Sequence, residues 1–238
     1  MFYTPGFPPG VKWLLISNAA VFILGFFAGL LQIDRPLALL ALVPEEVVHL
    51  FIWQLATYLF LHGGFGHIIW NMLALWMFGA DLERLWGTRR FLNFYFFCGI
   101  GAGICVVVLN YVLPWGNPAI RTIGSSGAIF GILLANAVLF PDRTILWGFL
   151  VPIQMKYFVL IIGIVTFMSS FQVNTGVSQF AHLGGMLFGY IWLKKPRGRM
   201  DLIGSANQQY QRWKLYRAKK KFQVYMKKQG SGRGPRIH

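Results

Sequence analysis

Apolar residues in this chain gather in long runs, cut by short clusters of Gly, Pro and charge. The first run, 11–31, has about the length that a helix needs to cross a bilayer. Residues 32–48 follow as a loop bearing Asp34, Arg35, Glu45 and Glu46, and 49–61 are apolar but too short to span, which predicts an interfacial or re-entrant piece. After His62-Gly63-Gly64-Phe65-Gly66 a second span is expected over 67–85. Past Glu83, Arg84, Arg89 and Arg90 comes a third over 91–113, with Gly99, Gly101 and Gly103 reading as a small-residue face. A turn-rich loop, 114–123, leads to a fourth span at 126–140 that stops before Pro141-Asp142-Arg143. That span rises only about 22 Å against a hydrocarbon core of roughly 30 Å, so its start is expected below the membrane surface. Residues 144–155, with Pro152, are expected at the interface, and Lys156 at the boundary, where it can snorkel. A fifth span at 157–170, a polar loop at 171–178 and a sixth span at 179–193 complete an all-α membrane protein of six transmembrane helices.

Composition agrees with a membrane protein. The 238 residues are 56% hydrophobic and 17% aromatic but only 12% charged, about half the charged share of a soluble domain. The first run is too long for a signal peptide and reads as a retained helix; the lack of a visible targeting segment suits a bacterial cytoplasmic membrane. The net charge of +15 is unevenly placed: residues 194–238 hold fourteen of the 22 Lys and Arg against one acid, Asp201, leaving the remainder at +2. The chain thus divides into a lead (1–10), a helical domain (11–195) and a basic tail (196–238). If six spans alternate, Lys12, Arg84, Arg89, Arg90, Arg143, Lys156 and the tail share one side, which puts both termini in the cytoplasm. In the tail, Trp213, Tyr216, Phe222 and Tyr225 interleave with basic residues, a mixture suited to anionic lipid at about 1 kcal/mol per basic residue. Partial helix is expected over 206–226 and disorder after 229, and no nucleic-acid partner is expected beside six spans. Cys98 and Cys105 share one apolar run, where seven helical residues hold them about 10 Å apart, too far for a disulfide.

The candidate chemistry begins at Gly124-Ser125-Ser126-Gly127-Ala128-Ile129-Phe130-Gly131. A serine between glycines at a membrane helix start is a packing surface or an exposed nucleophile, and Gly127 with Gly131 forms a small-xxx-small pair. His67 and Asn71, four apart, share a helix face; alone they read as an interhelical contact, as His182 alone reads as a packing histidine. Ionisable residues inside spans are nonetheless functional candidates because lipid makes them costly. Ser126, His182 and the His67/Asn71 pair all fall near the outer ends of the fourth, sixth and second spans. Gly185 and Gly189 can bring the sixth span against Gly127 and Gly131, aiming His182 at Ser126, where an imidazole can take the hydroxyl proton. The unpaired N–H groups at the fourth helix start, with His67 and Asn71, can hold an oxyanion. The acids Asp34, Glu45, Glu46, Asp81, Glu83, Asp142 and Asp201 all lie away from these ends, so the inventory permits a Ser–His dyad. A proton or metal transporter using His67, Asn71 and His182 is the rival from another class. It lacks intramembrane acids and paired repeats; a metalloprotease lacks H-E-x-x-H.

His62-x4-His67-x3-Asn71, the G-x-S-G of Gly124-Ser125-Ser126-Gly127, and Ala181-His182 followed by Gly185 and Gly189, in that order on six spans, resemble the rhomboid family of intramembrane serine proteases. Trp53-Gln54-Leu55-Ala56-Thr57 and Glu83-Arg84-Leu85-Trp86-Gly87 add to the likeness, which covers about 11–195. The resemblance implies a six-helix bundle with Ser126 as nucleophile and His182 as general base. It implies His67, Asn71 and the Ser126 amide as oxyanion donors, with His62, Gly124, Gly127 and Gly185 in support, and no metal or cofactor. Its substrates would be single-pass membrane proteins, cut in or near a transmembrane segment that unwinds easily. Where the family often has Trp-Arg, this chain has Trp53-Gln54, which leaves no arginine there to anchor lipid. By the same analogy, the 171–178 loop and the fifth span form the gate. The glycines of 63–66 supply backbone freedom ahead of His67. A non-catalytic rhomboid-like protein that binds client helices is the nearer alternative; such a protein typically lacks the serine or the histidine, and both are present here.

Overall fold

The computed structural model describes residues 7–33, 35–147, 150–170 and 176–194, without side chains at 35, 36 and 176–178. The tail, most of the lead and most of the 171–178 loop lie outside the described residues. Each expected span is helical. In order they are α1 (Pro9–Leu30) and, after short helices α2 (Arg35–Ala38), α3 (Pro44–Val48) and α4 (Gln54–Thr57), the pair α5 (Phe65–Ala74) and α6 (Ala80–Trp86), then α7 (Thr88–Val112) and α8 (Ser126–Leu139). A hairpin of β1 (Thr144–Trp147) and β2 (Val151–Gln154) leads to α9 (Met155–Ser169) and α10 (Gly176–Lys194). Of the described helices, α1 and α7 are long and apolar enough to cross a membrane, while α8 and α9 are apolar but shorter.

Only Gly10, Val11, Leu14 and Asn18 of α1 are buried, and Ile23, Leu24, Phe26, Phe27 and Leu30 stand exposed. In water such a face would be an aggregation site; in hydrocarbon it costs nothing. The α1 start is fixed by a carboxylate: Glu83 of α6, almost wholly buried, accepts from the Gly10 and Val11 amides, each at 2.7 Å, and from the Thr88 hydroxyl. A negative charge at a helix N-terminus satisfies orphan N–H groups and complements the dipole. At that end of the bundle Asp81 pairs with Arg84 and Arg143, and Lys156 with Asp142.

The core is built on α7, whose Phe91, Phe94, Tyr95, Cys98, Ala102 and Val106 are buried, with α8 and α10 packed on it and on each other. Its glycines do not form one face as the sequence suggests. Gly99 and Gly103 meet Leu59 and Leu55 beside α4, whereas Gly101 meets Phe188 of α10. Two residues along a helix turn about 200°, so Gly101 must look the other way. Two further features are absent from the sequence reading. Between α5 and α6 the turn widens into a π-helix, Leu75–Gly79, whose Phe78 carbonyl accepts from Asn136 of α8 at 3.1 Å. The connection expected at the interface is folded as the antiparallel β1–β2 hairpin; Pro152 sits in it because an edge strand tolerates a missing donor. The loop before the site is also ordered by pairing: Leu42 and Thr122 exchange both backbone hydrogen bonds, and the Gly124 amide donates to the Tyr58 carbonyl at 2.9 Å. Gln54, in the position that lacks the arginine, is fully buried; it accepts from the Val43 amide and donates to Glu46 and to the Leu39 carbonyl.

Candidate active site

The expected backbone approach between α8 and α10 is present. A Cβ on Gly185 would lie 1.8 Å from the Gly127 carbonyl oxygen, one on Gly131 3.0 Å from the Gly185 oxygen, and one on Gly189 3.1 Å from the Gly131 Cα. At Gly185 only hydrogen fits, and at Gly131 and Gly189 a Cβ would press on the facing backbone, the close approach that small residues allow. Its consequence lies one turn away: His182 Nε2 is 2.8 Å from Ser126 Oγ, within hydrogen-bonding distance. Ser126 is the first residue of α8, where backbone N–H groups have no partner within the helix.

His67 and Asn71 project from α5 into the same cavity, of about 490 Å3, lined also by Trp70, Phe78, Ser126, Phe130, Phe158 and His182. Asn71 donates to the His67 carbonyl at 2.9 Å, and the Gly63 amide to His67 Nδ1 at 3.3 Å. Gly124 is required by conformation and by space: its φ is +114°, and a Cβ there would lie 2.7 Å from His67 Nε2. The glycines of 63–66 are different. Gly64 is extended at φ 167°, and among the described glycines the left-handed region of φ is occupied by Gly87 and Gly124. That loop therefore has no conformational need for glycine. The His62 ring packs edge-on against His67 at 5.0 Å, a buttress outside the cavity. A second cavity of about 350 Å3, between α1 and the 61–64 loop, is lined by His62 and Arg121 but contains neither Ser126 nor His182.

Two neighbours of His182 are missing from the sequence reading. Phe130 stacks on its ring with centroids 4.2 Å apart and planes at 2°, and Gln179 Oε1 lies 3.2 Å from Nδ1. The spacing could have revealed both, since Phe130 follows Ser126 by four residues and Gln179 precedes His182 by three. Among the described residues, no group of three or more His, Cys, Asp or Glu is placed to hold a metal ion.

Residues 50–195 match the model of the Rhomboid domain, more than half of the chain. This chain belongs to the rhomboid family. Rhomboids are integral membrane proteins. Among its relatives, the rhomboid protease GluP of Bacillus subtilis (strain 168) is 35% identical over 138 residues, 58% of this chain and 25% of that protein. The putative rhomboid protease YdcA of the same organism is 31% identical over 154 residues, 62% and 70% respectively. Rhomboid-type serine protease 2 of Emericella nidulans is 32% identical over 161 residues, 64% of this chain but 29% of that rhomboid. The chain thus spans a quarter of GluP's length and 70% of YdcA's.

Proposed function

We propose that this rhomboid is an intramembrane serine endopeptidase that cuts transmembrane segments of other membrane proteins. The observation that carries the reading is the 2.8 Å contact between Ser126 Oγ and His182 Nε2 at the end of a glycine seam. Ser126 Oγ attacks the scissile carbonyl carbon while its proton passes to Nε2. The tetrahedral oxyanion is held by the Ser126 amide, His67 and Asn71, donors fixed before the charge develops. The imidazolium then protonates the leaving amine, and water completes the cycle through the acyl-enzyme. His62 buttresses His67, Gly124 leaves room for it, and Gly127 and Gly185 set the distance.

We read all six helical segments as spans. The bases cluster with Asp81, Asp142 and Glu83 at the end opposite Ser126, which supports cytoplasmic termini and a site toward the outer side. With 14 residues α8 rises about 21 Å, so its start is recessed, where a cavity can admit water to a peptide bond otherwise protected by helix and lipid. Residues 11–195 form the protease domain, and 196–238 a basic tail on anionic lipid.

The test is labelling of the purified protein by a fluorophosphonate probe, with the modified residue mapped by mass. The expected label is on Ser126, and Ser126→Ala and His182→Ala each abolish both labelling and cleavage of a model transmembrane substrate. A label elsewhere, or full-rate labelling of His182→Ala, refutes the dyad; no label at all leaves the non-catalytic reading.

A further inference from the structure

The His182 ring is held from three sides. Nε2 faces Ser126 Oγ at 2.8 Å, Phe130 lies parallel against its face at 4.2 Å, and Nδ1 faces Gln179 Oε1 at 3.2 Å. The stacked phenyl ring fixes the plane of the imidazole but has no bearing on which nitrogen carries the proton. That choice decides whether the pair can react, because a neutral imidazole bears one N–H and only a bare Nε2 can accept the serine proton. A carboxamide oxygen has no hydrogen to give. Its approach to Nδ1 is a hydrogen bond only when the ring proton sits there.

We infer that Gln179 is the positioning residue of this pair: its carboxamide oxygen accepts the Nδ1–H of His182 and so holds the tautomer that presents an unprotonated Nε2 to Ser126. The inference rests on the proposed roles of Ser126 and His182. Gln179 stands three residues before His182 on α10, so the backbone delivers it to the ring without a further element. In a Ser–His–Asp site a buried carboxylate does this work and stabilises the imidazolium. A charge is costly inside a membrane, whereas a carboxamide offers the same acceptor without one. When His182 becomes charged, the Gln179 carbonyl dipole already points at its Nδ1–H. The alternative is an ordinary pair of side chains one turn apart that pack and do nothing more. With the amide reversed, its NH2 would donate to Nδ1, the proton would move to Nε2, and the pair would be inert.

Two variants separate these cases in the full-length protein reconstituted in liposomes. Gln179→Met keeps the length and removes the acceptor; Gln179→Glu keeps an acceptor and adds charge. The readout is the rate at which a fluorophosphonate probe labels Ser126, followed against pH, together with kcat and KM on a transmembrane substrate. Among the described residues lining the cavity, His67 of α5 is the titratable group facing His182, and α8 and α9 present Ser126, Phe130, Phe158 and Ile162. Gln179→Met is expected to slow labelling about 10-fold or more, against about 10⁴ when a protease triad loses its tautomer, with kcat falling and KM unmoved. Gln179→Glu is expected to label faster than Gln179→Met, with its acidic limb moved to higher pH because a carboxylate favours the imidazolium. Wild-type labelling by Gln179→Met, or a Gln179→Glu variant as slow as Gln179→Met with its midpoint unmoved, overturns the inference. If Gln179→Met does not fold, the Gln179→Glu midpoint decides alone. A wild-type chain that takes no label on Ser126 refutes instead the hydrolase reading beneath it.

Discussion

Asn71 has two amide hydrogens, and the His67 carbonyl, 2.9 Å away, takes one of them. The second is available to a substrate oxyanion in the cavity that both side chains line. Asn71→Ala is therefore expected to lower kcat by up to about 10²–10³ with little change in KM, measured on a reconstituted transmembrane substrate. An unchanged kcat would remove Asn71 from the oxyanion site. At this scale the sequence exposed the residues that form motifs and missed those that serve them. Ser126, His182, His67 and Asn71 are polar groups in apolar runs and announce themselves by cost. Phe130 is one of 22 phenylalanines; its place four residues after Ser126 put it on the right face, and the coordinates show it as the ring lying on His182.

Among the elements, the α8–α10 seam was legible because both helices carry small residues four apart, the spacing that lets two membrane helices approach closely. A Cβ on Gly185 would meet the Gly127 carbonyl, which is backbone and cannot rotate away. Gly185→Ala must push the helices apart. Overpacking of this kind costs about 1–3 kcal/mol, and a misplacement of about 1 Å in a reacting pair can cost 10²-fold in rate. The expected outcome is a lower thermal midpoint together with slower fluorophosphonate labelling of Ser126. Labelling at the wild-type rate would show that the seam does not set the distance between Ser126 and His182. The three glycines of α7 misled because alternate spacing on a helix points two ways. The β1–β2 hairpin was hidden for another reason: two four-residue strands, one interrupted by Pro152, leave no periodicity long enough to read.

For the whole molecule, the order of apolar runs and the pile-up of bases were plain in the sequence, and each of those runs is helical among the described residues. Which ends meet was not plain, because Glu83 caps α1 across 73 residues of chain. The tail, with fourteen of 22 bases from residue 194 onward, makes a prediction at this scale. Removing 199–238 should weaken the protein's preference for anionic over neutral liposomes in a partition assay and leave probe labelling of Ser126 unchanged. An unaltered preference would rule out the tail as the lipid contact. The glycine seam also divides the bundle into unequal halves. On one side α8 and α10 touch backbone to backbone, with no slack to lend. If the proposed protease admits an unwound polypeptide to Ser126, the room must come from the opposite walls, α5 and α9, which meet the cavity through side chains such as Trp70, Phe158 and Ile162 rather than through backbone. The proposed reacting pair would then keep still while that doorway moves.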